Sequence, residues 1–260
     1  FQESLYDESR LSALETRMAH YLSSNTVSAR NLAAEKDAIK TLIGDISHQT
    51  KTPIANLLLY AQLLEEQDLP PESREYVSAL EHQAEKLRFL IDALVKTSRL
   101  ESGVLAMTPK RHGIQQLLDA ASAQAAPGAE AKAITLTVEP TDLTARFDPK
   151  WTAEALYNLV DNAVKYTPAG GAVTLRAVGY ELFCRVDVTD TGPGIPESEQ
   201  ARIFQRFYRS PSASEAEGVG IGLYLARQIA AGQGGYLKVS SRPGEGSTFS
   251  LFLPRAEERT

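Results

Sequence analysis

The sequence predicts two folded parts: an α-helical hairpin, followed by an α/β sandwich in which helices cover one face of a mixed sheet. Two observations support the hairpin. Apolar residues recur at alternating spacings of four and three from Ile39 onward, and the segment DLPPES then interrupts this pattern. A third observation supports the sandwich, because after Gly103 the period changes to the alternation of apolar and polar residues typical of half-buried strands.

Residues 1–38 carry a weak coiled-coil pattern. Heptad spacing is kept, although polar residues take several of the seam positions, which are Leu11, Leu14, Met18, Tyr21, Asn25, Ser28, Leu32 and Glu35. From Leu32 the steps to Glu35, Ile39 and Ile43 are three, four and four, a stutter that locally unwinds a supercoil. We interpret this segment as a signal-transmitting helix, with a solvated linker as the alternative.

The hairpin is predicted over residues 39–104. The seam of its first helix comprises Ile39, Ile43, Ile46, Thr50, Pro53, Leu57, Tyr60 and Leu64, and the seam of its second comprises Tyr76, Leu80, Gln83, Leu87, Leu90 and Leu94. The prolines of DLPPES cannot continue a helix interior, and the second of them suits a first helical turn. Since one hairpin exposes a whole apolar stripe, we expect two copies to pair into a dimeric four-helix bundle.

The sandwich is predicted over residues 109–256. Its strand-like runs are ITLTVE, AVTLRAV, LFCRVDV, YLKVSS and STFSLFL, and helical stretches near 114–125, 152–165 and 221–231 are interleaved with them. The lone Cys184 lies in one of these runs and is interpreted as a small buried hydrophobe, which suits a reducing cytosol.

Composition and charge narrow the classes of function. The 260 residues are 43% apolar, enough for the cores of about two domains. The net charge of −6 gives no reason to expect a nucleic-acid partner, which would favour a clustered basic surface. No run reaches the roughly 18 apolar residues of a membrane span, and no secretory signal opens the chain. Since the chain starts at Phe1 without methionine, we expect membrane contact only through a missing N-terminal region.

Four strings in the second part are suited to holding a nucleotide without a P-loop, since no GxxxxGK[ST] occurs. They are NLVDNAVKYT from Asn158, DTGPGIP from Asp190, GVGIGL from Gly218 and GEGSTF from Gly244, and they follow SHQTKTP around His48. In this order they resemble the sensor histidine kinases of two-component systems. The resemblance implies the ATP-binding fold shared with gyrase, the heat-shock protein 90 chaperones and MutL, with ATP and Mg²⁺ as cofactors.

The first string places two amides on one face of a helix, because Asn158 and Asn162 are four residues apart. Asn162 would offer its carbonyl oxygen to Mg²⁺, a hard cation that takes few protein oxygens, and Glu154 would act through a coordinated water. Lys165 can supply positive charge for the phosphates, and Tyr166 can border the purine. The alternative is that these asparagines merely face solvent.

The second string ends a strand at Asp190, whose carboxylate can accept a hydrogen bond from the adenine amine. Gly192 and Gly194 allow close approach of the backbone to the base, and Ile195 belongs to the same nucleotide-contacting loop. The alternative is an ordinary turn after a strand. In the fourth string Thr248 is a candidate for the purine site, although a tight turn between strands explains its glycines equally well.

The third string opens a helix, so its backbone amides and the helix dipole favour phosphate oxygens. The residues assigned to this contact are Gly218, Val219, Gly220, Gly222 and Leu223. The preceding string YRSPSASEAEG is small, polar and aperiodic and is interpreted as a lid anchored by Phe204 and Phe207. Arg206 or Arg209 could reach the γ-phosphate; either could equally be a surface charge.

His48 lies two residues past Ile46, off the seam, and so is expected to face solvent on the bundle. Its imidazole, with an ordinary pKa near 6.5, is largely neutral and nucleophilic at cellular pH. The resembled family has an acid after this histidine, whereas this chain has Gln49. We therefore expect Asp45 or Gln49 to fix the imidazole tautomer, with a purely solvating Asp45 as the alternative. In the family the position of Thr52, when Thr or Asn, orients the water that dephosphorylates the partner receiver domain; the alternative is a helix-surface threonine.

The resemblance implies a homodimeric kinase that phosphorylates His48 from Mg·ATP and hands the phosphoryl group to an aspartate on a response regulator. It also implies a cytoplasmic fragment of a bacterial sensor anchored in the inner or plasma membrane. Two alternatives stay open. One is a non-catalytic dimeric nucleotide-binding scaffold, motivated by Gln49, and the other is a gyrase-like or chaperone-like ATPase.

Overall fold

The computed structural model of the protein describes residues 17, 18, 21, 38, 41, 42, 44–46, 49–101, 107–210 and 219–255. The chain divides into two compact units, Phe1–Ser102 and Gly103–Thr260. Most of the predicted coiled coil lies outside the described residues, and the four residues described within 1–38 are helical. Every helix in the described part of the chain is too short or too polar to cross a bilayer.

The first unit contains the predicted helical hairpin, which is confirmed. Helix α1 includes residues 49–65, and helix α2 runs over Pro71–Glu101 after a turn at 66–70. Pro71 opens α2 at a position where a missing N–H costs nothing. The Lys51 ammonium and the Asp92 carboxylate join the two helices at 2.7 Å.

The contact between α1 and α2 uses a different stripe from the predicted seams. The buried residues of the hairpin are offset by one position and include Ile54, Leu58, Ala61, Val77 and Ala84, with Ile91 packed against them. The predicted seam residues Leu57, Tyr60, Leu64, Tyr76, Leu80, Leu87 and Leu94 are instead exposed in the single chain. Each helix thus carries two apolar stripes, and periodicity alone does not say which one faces the other helix.

The second unit is the predicted α/β sandwich, also confirmed. In chain order it contains β1 Lys110–Gly113, α3 Ile114–Ala131, β2 Thr135–Val138, β3 Thr144–Phe147, α4 Pro149–Tyr166, β4 Ala172–Gly179, β5 Phe183–Asp190, α5 Glu197–Gln200, a 3₁₀ turn Arg202–Phe204, α6 Gly222–Gly232, β6 Tyr236–Arg242 and β7 Gly246–Pro254. The main sheet has the order β2-β4-β5-β7-β6. Only its β2–β4 pair is parallel, so the sheet is mixed. The strands β1 and β3 form a separate antiparallel pair. Each has only four residues, which is too short for an alternating pattern to be recognised in the sequence.

The core lies between the main sheet and helices α3, α4 and α6. Along β5 the even-numbered residues Cys184, Val186 and Val188 are buried, and they pair in register with Leu253, Leu251 and Phe249 of β7. Leu156, Leu159 and Ile229 from the helices are fully buried with them. Burial raises the pKa of the Cys184 thiol to about 11, so this cysteine stays a protonated core residue.

The opposite face of the sheet carries a separate polar cluster around Asp187. This carboxylate is 2% exposed and pairs with the guanidinium groups of Arg176 at 3.2 Å and Arg185 at 2.9 Å. The Ser250 hydroxyl also donates to it, at 2.6 Å. Successive residues of β5 therefore have opposite surroundings, apolar on the helix-facing side and ionic around Asp187 on the other.

Candidate functional site

The region around the candidate nucleophile is described only in part, because His48 lies outside the described residues, together with Ser47. Asp45, Gln49 and Thr52 are helical and exposed. Pro53 follows inside α1, and since proline has no N–H, the Gln49 carbonyl lacks its regular helical donor beside the histidine. The three polar residues expected to act on His48 are thus helical and in water-accessible positions.

Helix α4 carries the residues of the first string and is capped at its N-terminus. Asp148 caps its N-terminus by accepting from the amides of Lys150 at 3.1 Å and Trp151 at 3.3 Å. The Asn158 amide nitrogen donates to the Glu154 carbonyl at 2.8 Å. A Cβ added at Gly222 would lie 2.7 Å from the Asn158 side-chain oxygen. The start of α6 therefore packs closely against the Asn158 side chain of α4.

The polar residues of α4 lie half-buried along one edge of the helix, namely Glu154, Asn158, Asn162, Lys165 and Tyr166. The Lys165 ammonium pairs with the Asp161 carboxylate at 2.6 Å, in a partly exposed pair that contributes little to stability. Lys165 can therefore exchange Asp161 for a phosphate at small cost.

The side-chain oxygens of Asn162 and Glu154 on α4 suit a Mg²⁺ ion that is bound mainly by phosphate oxygens. Among the described residues no group of three or more His, Cys, Asp or Glu side chains could enclose a metal ion. Mg²⁺ keeps several waters and takes one or two protein oxygens beside phosphate oxygens. The Asn162 amide oxygen, with Glu154 two turns earlier on the helix, is a suitable donor set of this kind.

Asp190 ends β5 as a carboxylate that is 5% exposed. Its Oδ1 accepts the amides of Gly192 at 2.8 Å and of Ser247 at 3.3 Å. Both of these hydrogen bonds end on Oδ1, which leaves Oδ2 to accept a donor from a ligand. Burial raises the pKa of this carboxyl group, and the two amide hydrogen bonds oppose that rise.

Ser247, rather than Thr248, is the β7 residue beside Asp190. In the register Ser247 pairs with Asp190, whereas Thr248 pairs with Thr189, and the two threonine hydroxyls lie 3.0 Å apart on the face that carries Asp187. Because successive strand residues point to opposite faces, the structure does not bring Thr248 to the purine candidate. Counting back by twos from the apolar Phe249 of STFSLFL would have placed Ser247 on the helix-facing side.

The loop after Asp190 is held by the β6–β7 turn. Gly194 has a φ of +73°, and a Cβ there would collide with the Arg242 carbonyl oxygen, so this position requires glycine. The Ile195 amide donates to the Ser241 hydroxyl at 2.7 Å, and that hydroxyl donates to the Gly246 carbonyl at 2.8 Å. The loop is thereby a rigid support beside the Asp190 carboxylate.

The predicted lid lies mostly outside the described residues, as does Gly218. Its two flanks meet, because the Phe207 amide donates to the Gly220 carbonyl at 2.9 Å. Gly220 has a φ of +73°, and a Cβ there would come within 2.5 Å of the Tyr208 carbonyl oxygen. Val219 and Arg209 are half-buried at these flanks.

The start of α6 is suited to an anion. The helix begins at Gly222, so the amides of Gly222, Leu223 and Tyr224 precede the first intrahelical bond, which Leu225 makes to the Ile221 carbonyl. Arg206 donates to the Tyr224 hydroxyl at 3.1 Å, and its guanidinium lies 4.8 Å from the centre of that ring. Arg206 is thus held at the first turn of α6.

The buried Asp190 predicts a particular pH dependence of stability. An unfolded aspartate ionises near 3.8, and the folded pKa is higher, so the folded state holds more protons between these two values. The contribution of Asp190 to the free energy of unfolding is therefore largest below pH 3.8 and is lost as the pH rises through the folded pKa.

We expect the nucleotide-free Asp190→Asn variant to be more stable than the wild type at pH 7, with a smaller difference at pH 4. Urea unfolding at both pH values measures this, and an equal difference at both would contradict it.

Two parts of the chain match described families. Residues 38–103 match the His Kinase A (phospho-acceptor) domain, and residues 147–257 match the histidine kinase-, DNA gyrase B- and HSP90-like ATPase. Sensor protein DivL of Caulobacter vibrioides is 34% identical over 86% of this chain and 29% of its own length. Sensor protein GacS of Pseudomonas syringae is 31% identical over 88% of this chain and 27% of its own length. The chain thus spans less than a third of these two relatives.

Solved structures show the same fold. Full-length ShkA, crystallised in complex with AMPPNP, is 29% identical with a TM-score of 0.69, over 84% of this chain and 47% of that one. Histidine kinase ThkA, in complex with the response regulator protein TrrA, is 20% identical with a TM-score of 0.61, over 85% of this chain and 63% of that one.

Proposed function

Because the chain belongs to the sensor histidine kinases of two-component systems, we propose that it phosphorylates His48 from Mg·ATP and passes the phosphoryl group to an aspartate of a response regulator. The ATP-binding part of this proposal rests on the Asp190 carboxylate. Two backbone amides fix its Oδ1, which leaves Oδ2 for the adenine amine. The AMPPNP bound by ShkA supports this assignment.

The nucleotide would lie along three elements of the second unit. Asp190 and the Gly192–Ile195 loop would hold the adenine, the amides at the start of α6 would hold phosphate oxygens, and Lys165 would add positive charge. Asn162, with Glu154 through water, would hold Mg²⁺, which neutralises charge on the transferring phosphoryl group. In this arrangement the protein contributes position and charge, which are the main requirements of phosphoryl transfer.

Phosphoryl transfer to His48 forms one bond to phosphorus and breaks another. The lone pair of the neutral His48 imidazole attacks the γ-phosphorus, the bond from that phosphorus to the β,γ-bridging oxygen breaks, and ADP leaves. The ring then carries a positive charge and an N–H that Asp45 or Gln49 orients by accepting it. Asp45 can also take this proton, whereas the Gln49 amide cannot. In the proposed phosphatase step, Thr52, which is exposed and lies four residues after His48 in the sequence, orients a water that attacks the aspartyl phosphate of the response regulator. The bond from phosphorus to the aspartate oxygen breaks, and inorganic phosphate leaves.

Two further assignments belong to this proposal. We assign a response regulator as the partner, supported by the response regulator bound in the ThkA complex. We also place the chain in the cytoplasmic part of a bacterial membrane-anchored sensor, supported by relatives named as sensor proteins.

Incubation of the purified chain with Mg²⁺ and ATP labelled at the γ-phosphate tests the proposal. We expect an acid-labile, base-stable label that maps to His48. Steady phosphate release without a labelled protein would instead support the gyrase-like or chaperone-like ATPase. Nucleotide binding without either label or hydrolysis would support the non-catalytic scaffold that Gln49 suggests.

Dimerisation is proposed through the exposed apolar stripe of the hairpin. Leu57 is 56% exposed and Leu80 is 65% exposed, and the other exposed seam residues continue the same stripes. A stripe of this length on one chain is expected to be covered by a second hairpin in a four-helix bundle.

Charge placed on this stripe is therefore expected to separate the two chains. We expect the double variant Leu57→Glu/Leu80→Glu to be monomeric at concentrations where the wild type is dimeric, with a dimer dissociation constant raised roughly 100-fold or more. Sedimentation velocity measures this. Leu182→Glu is the matched control, because Leu182 is 72% exposed but lies in the second unit. A monomeric wild type, or a double variant that stays dimeric, would contradict the proposal.

A further inference from the structure

Lys132 makes an unusual set of contacts at the end of helix α4. It follows α3 directly, and its half-buried side chain crosses to α4, where the ammonium donates to three carbonyls. The acceptors are the carbonyl oxygens of Val164 at 2.9 Å, Lys165 at 2.7 Å and Thr167 at 2.9 Å. The last carbonyls of a helix have no intrahelical donors and form the negative end of its dipole. One cation therefore satisfies three of them.

The backbone of Lys132 holds the following loop as well. Its carbonyl accepts the Gly170 amide at 3.0 Å. The connection from α4 to β4, residues 167–171, is thus fastened at one end by the ammonium of Lys132 and near its other end by the carbonyl of the same residue. None of the four sequence strings includes this lysine, which lies about 60 residues before Asp190 in the chain.

Two contacts lead from the fastened segment to the loop after Asp190. A Cβ added at Gly192 would lie 3.1 Å from the Tyr166 carbonyl oxygen, so the end of α4 abuts that loop. A Cβ added at Gly171 would lie 2.9 Å from the Thr191 hydroxyl, and that hydroxyl accepts the Ala172 amide at 2.9 Å. Displacement of the end of α4 would therefore move Thr191 and Gly192, which adjoin the Asp190 carboxylate.

We propose that Lys132 is a positioning residue of the nucleotide site, which sets the adenine-binding end through the end of α4 and the 167–171 connection. This inference rests on the proposed ATP-binding function. The ammonium makes its three hydrogen bonds within the protein and does not itself contact the ligand. Its removal is therefore expected to weaken binding at the adenine end, whereas the amides at the start of α6, which would hold phosphate oxygens, are not among its contacts.

Nucleotide titrations of Lys132→Met test this. We expect the dissociation constants of ADP and of a non-hydrolysable ATP analogue to rise by the same factor, about five- to tenfold. Lys132→Arg is expected to recover part of the affinity, because a planar guanidinium keeps the charge but does not match three carbonyls that converge on one ammonium. Circular dichroism at the titration temperature establishes that each variant is folded.

Two controls separate this effect from charge and from general stability. Lys238→Met makes the same change of charge on an exposed lysine of β6, and Asp187→Asn disturbs a buried ionic cluster on the opposite face of the sheet. Both are expected to keep the wild-type dissociation constants. A folded Lys132→Met with wild-type affinity would overturn the inference, as would a loss that grows from ADP to the ATP analogue. If Lys132→Met does not fold, wild-type affinity in Lys132→Arg overturns it. Absence of nucleotide binding in the wild type would refute the proposed function itself.

Discussion

Replacement of His48 by alanine is expected to abolish the label that the protein acquires from ATP labelled at the γ-phosphate. In the proposed reaction the imidazole supplies the lone pair that forms the new bond to phosphorus, and alanine has no nucleophile to replace it. Nucleotide binding is expected to stay at the wild-type level, because the proposed ATP site lies on α4, β5, α6 and their loops. Autoradiography of the denatured protein, together with a nucleotide titration of the same sample, measures both quantities.

His82→Ala is the matched control for this experiment. His82 is an exposed histidine of α2 in the same helical unit, so its loss removes an imidazole without touching the proposed acceptor. We expect this variant to label like the wild type. Full labelling of His48→Ala would show that another residue accepts the phosphoryl group, and mapping of the label would identify it.

Replacement of Asp190 by asparagine is expected to weaken adenine nucleotide binding about 10- to 100-fold, the range for one charge-assisted hydrogen bond in a buried site. Asparagine has nearly the same shape and can still accept the Gly192 and Ser247 amides through its oxygen. Its nitrogen then occupies the place of Oδ2 and meets the adenine amine as a second donor. Isothermal titration with ADP measures the loss, and labelling of His48 is expected to fall with it at low ATP concentrations.

Asp187→Asn is the control for the loss of a buried carboxylate that does not contact the proposed adenine site. Asp187 lies on the same strand, is 2% exposed against 5% for Asp190, and faces the other side of the sheet. We expect Asp187→Asn to lower the free energy of unfolding, because two guanidinium groups lose their partner, and to leave the affinity for ADP unchanged. Equal losses of affinity in both variants would mean that Asp190 acts through stability rather than through contact with adenine.

Much of the architecture could be predicted from the sequence because its signals are local. The change from a helical to a strand period at Gly103 follows from residues a few positions apart, and so does the break at DLPPES. The glycines of the DTGPGIP string were also interpretable, since Gly194 has the positive φ that only glycine adopts without strain. The assignment of roles to His48, Asp45, Gln49 and Thr52 stays a prediction.

Three features could not be predicted. The stripe that joins α1 to α2 runs through Ile54 and Leu58, one position from the seam that spacing favoured. Alternation from Phe249 gives the face of Ser247, but only the register of β5 and β7 places Ser247 beside Asp190. The carbonyls that Lys132 caps lie more than 30 residues further along the chain.

By itself, the sequence determined the helical hairpin, the three long helices and five main-sheet strands of the second unit, the order of the four strings and the candidate nucleophile, because each depends on residue types and spacings within a few turns. Only the tertiary structure decided which apolar stripe is buried within one chain, which β7 side chain adjoins Asp190, and which cation holds the end of α4. These depend on strand register and on contacts between residues distant in the chain. The local period is compatible with several such arrangements, and the packing of the folded chain decides which of them forms.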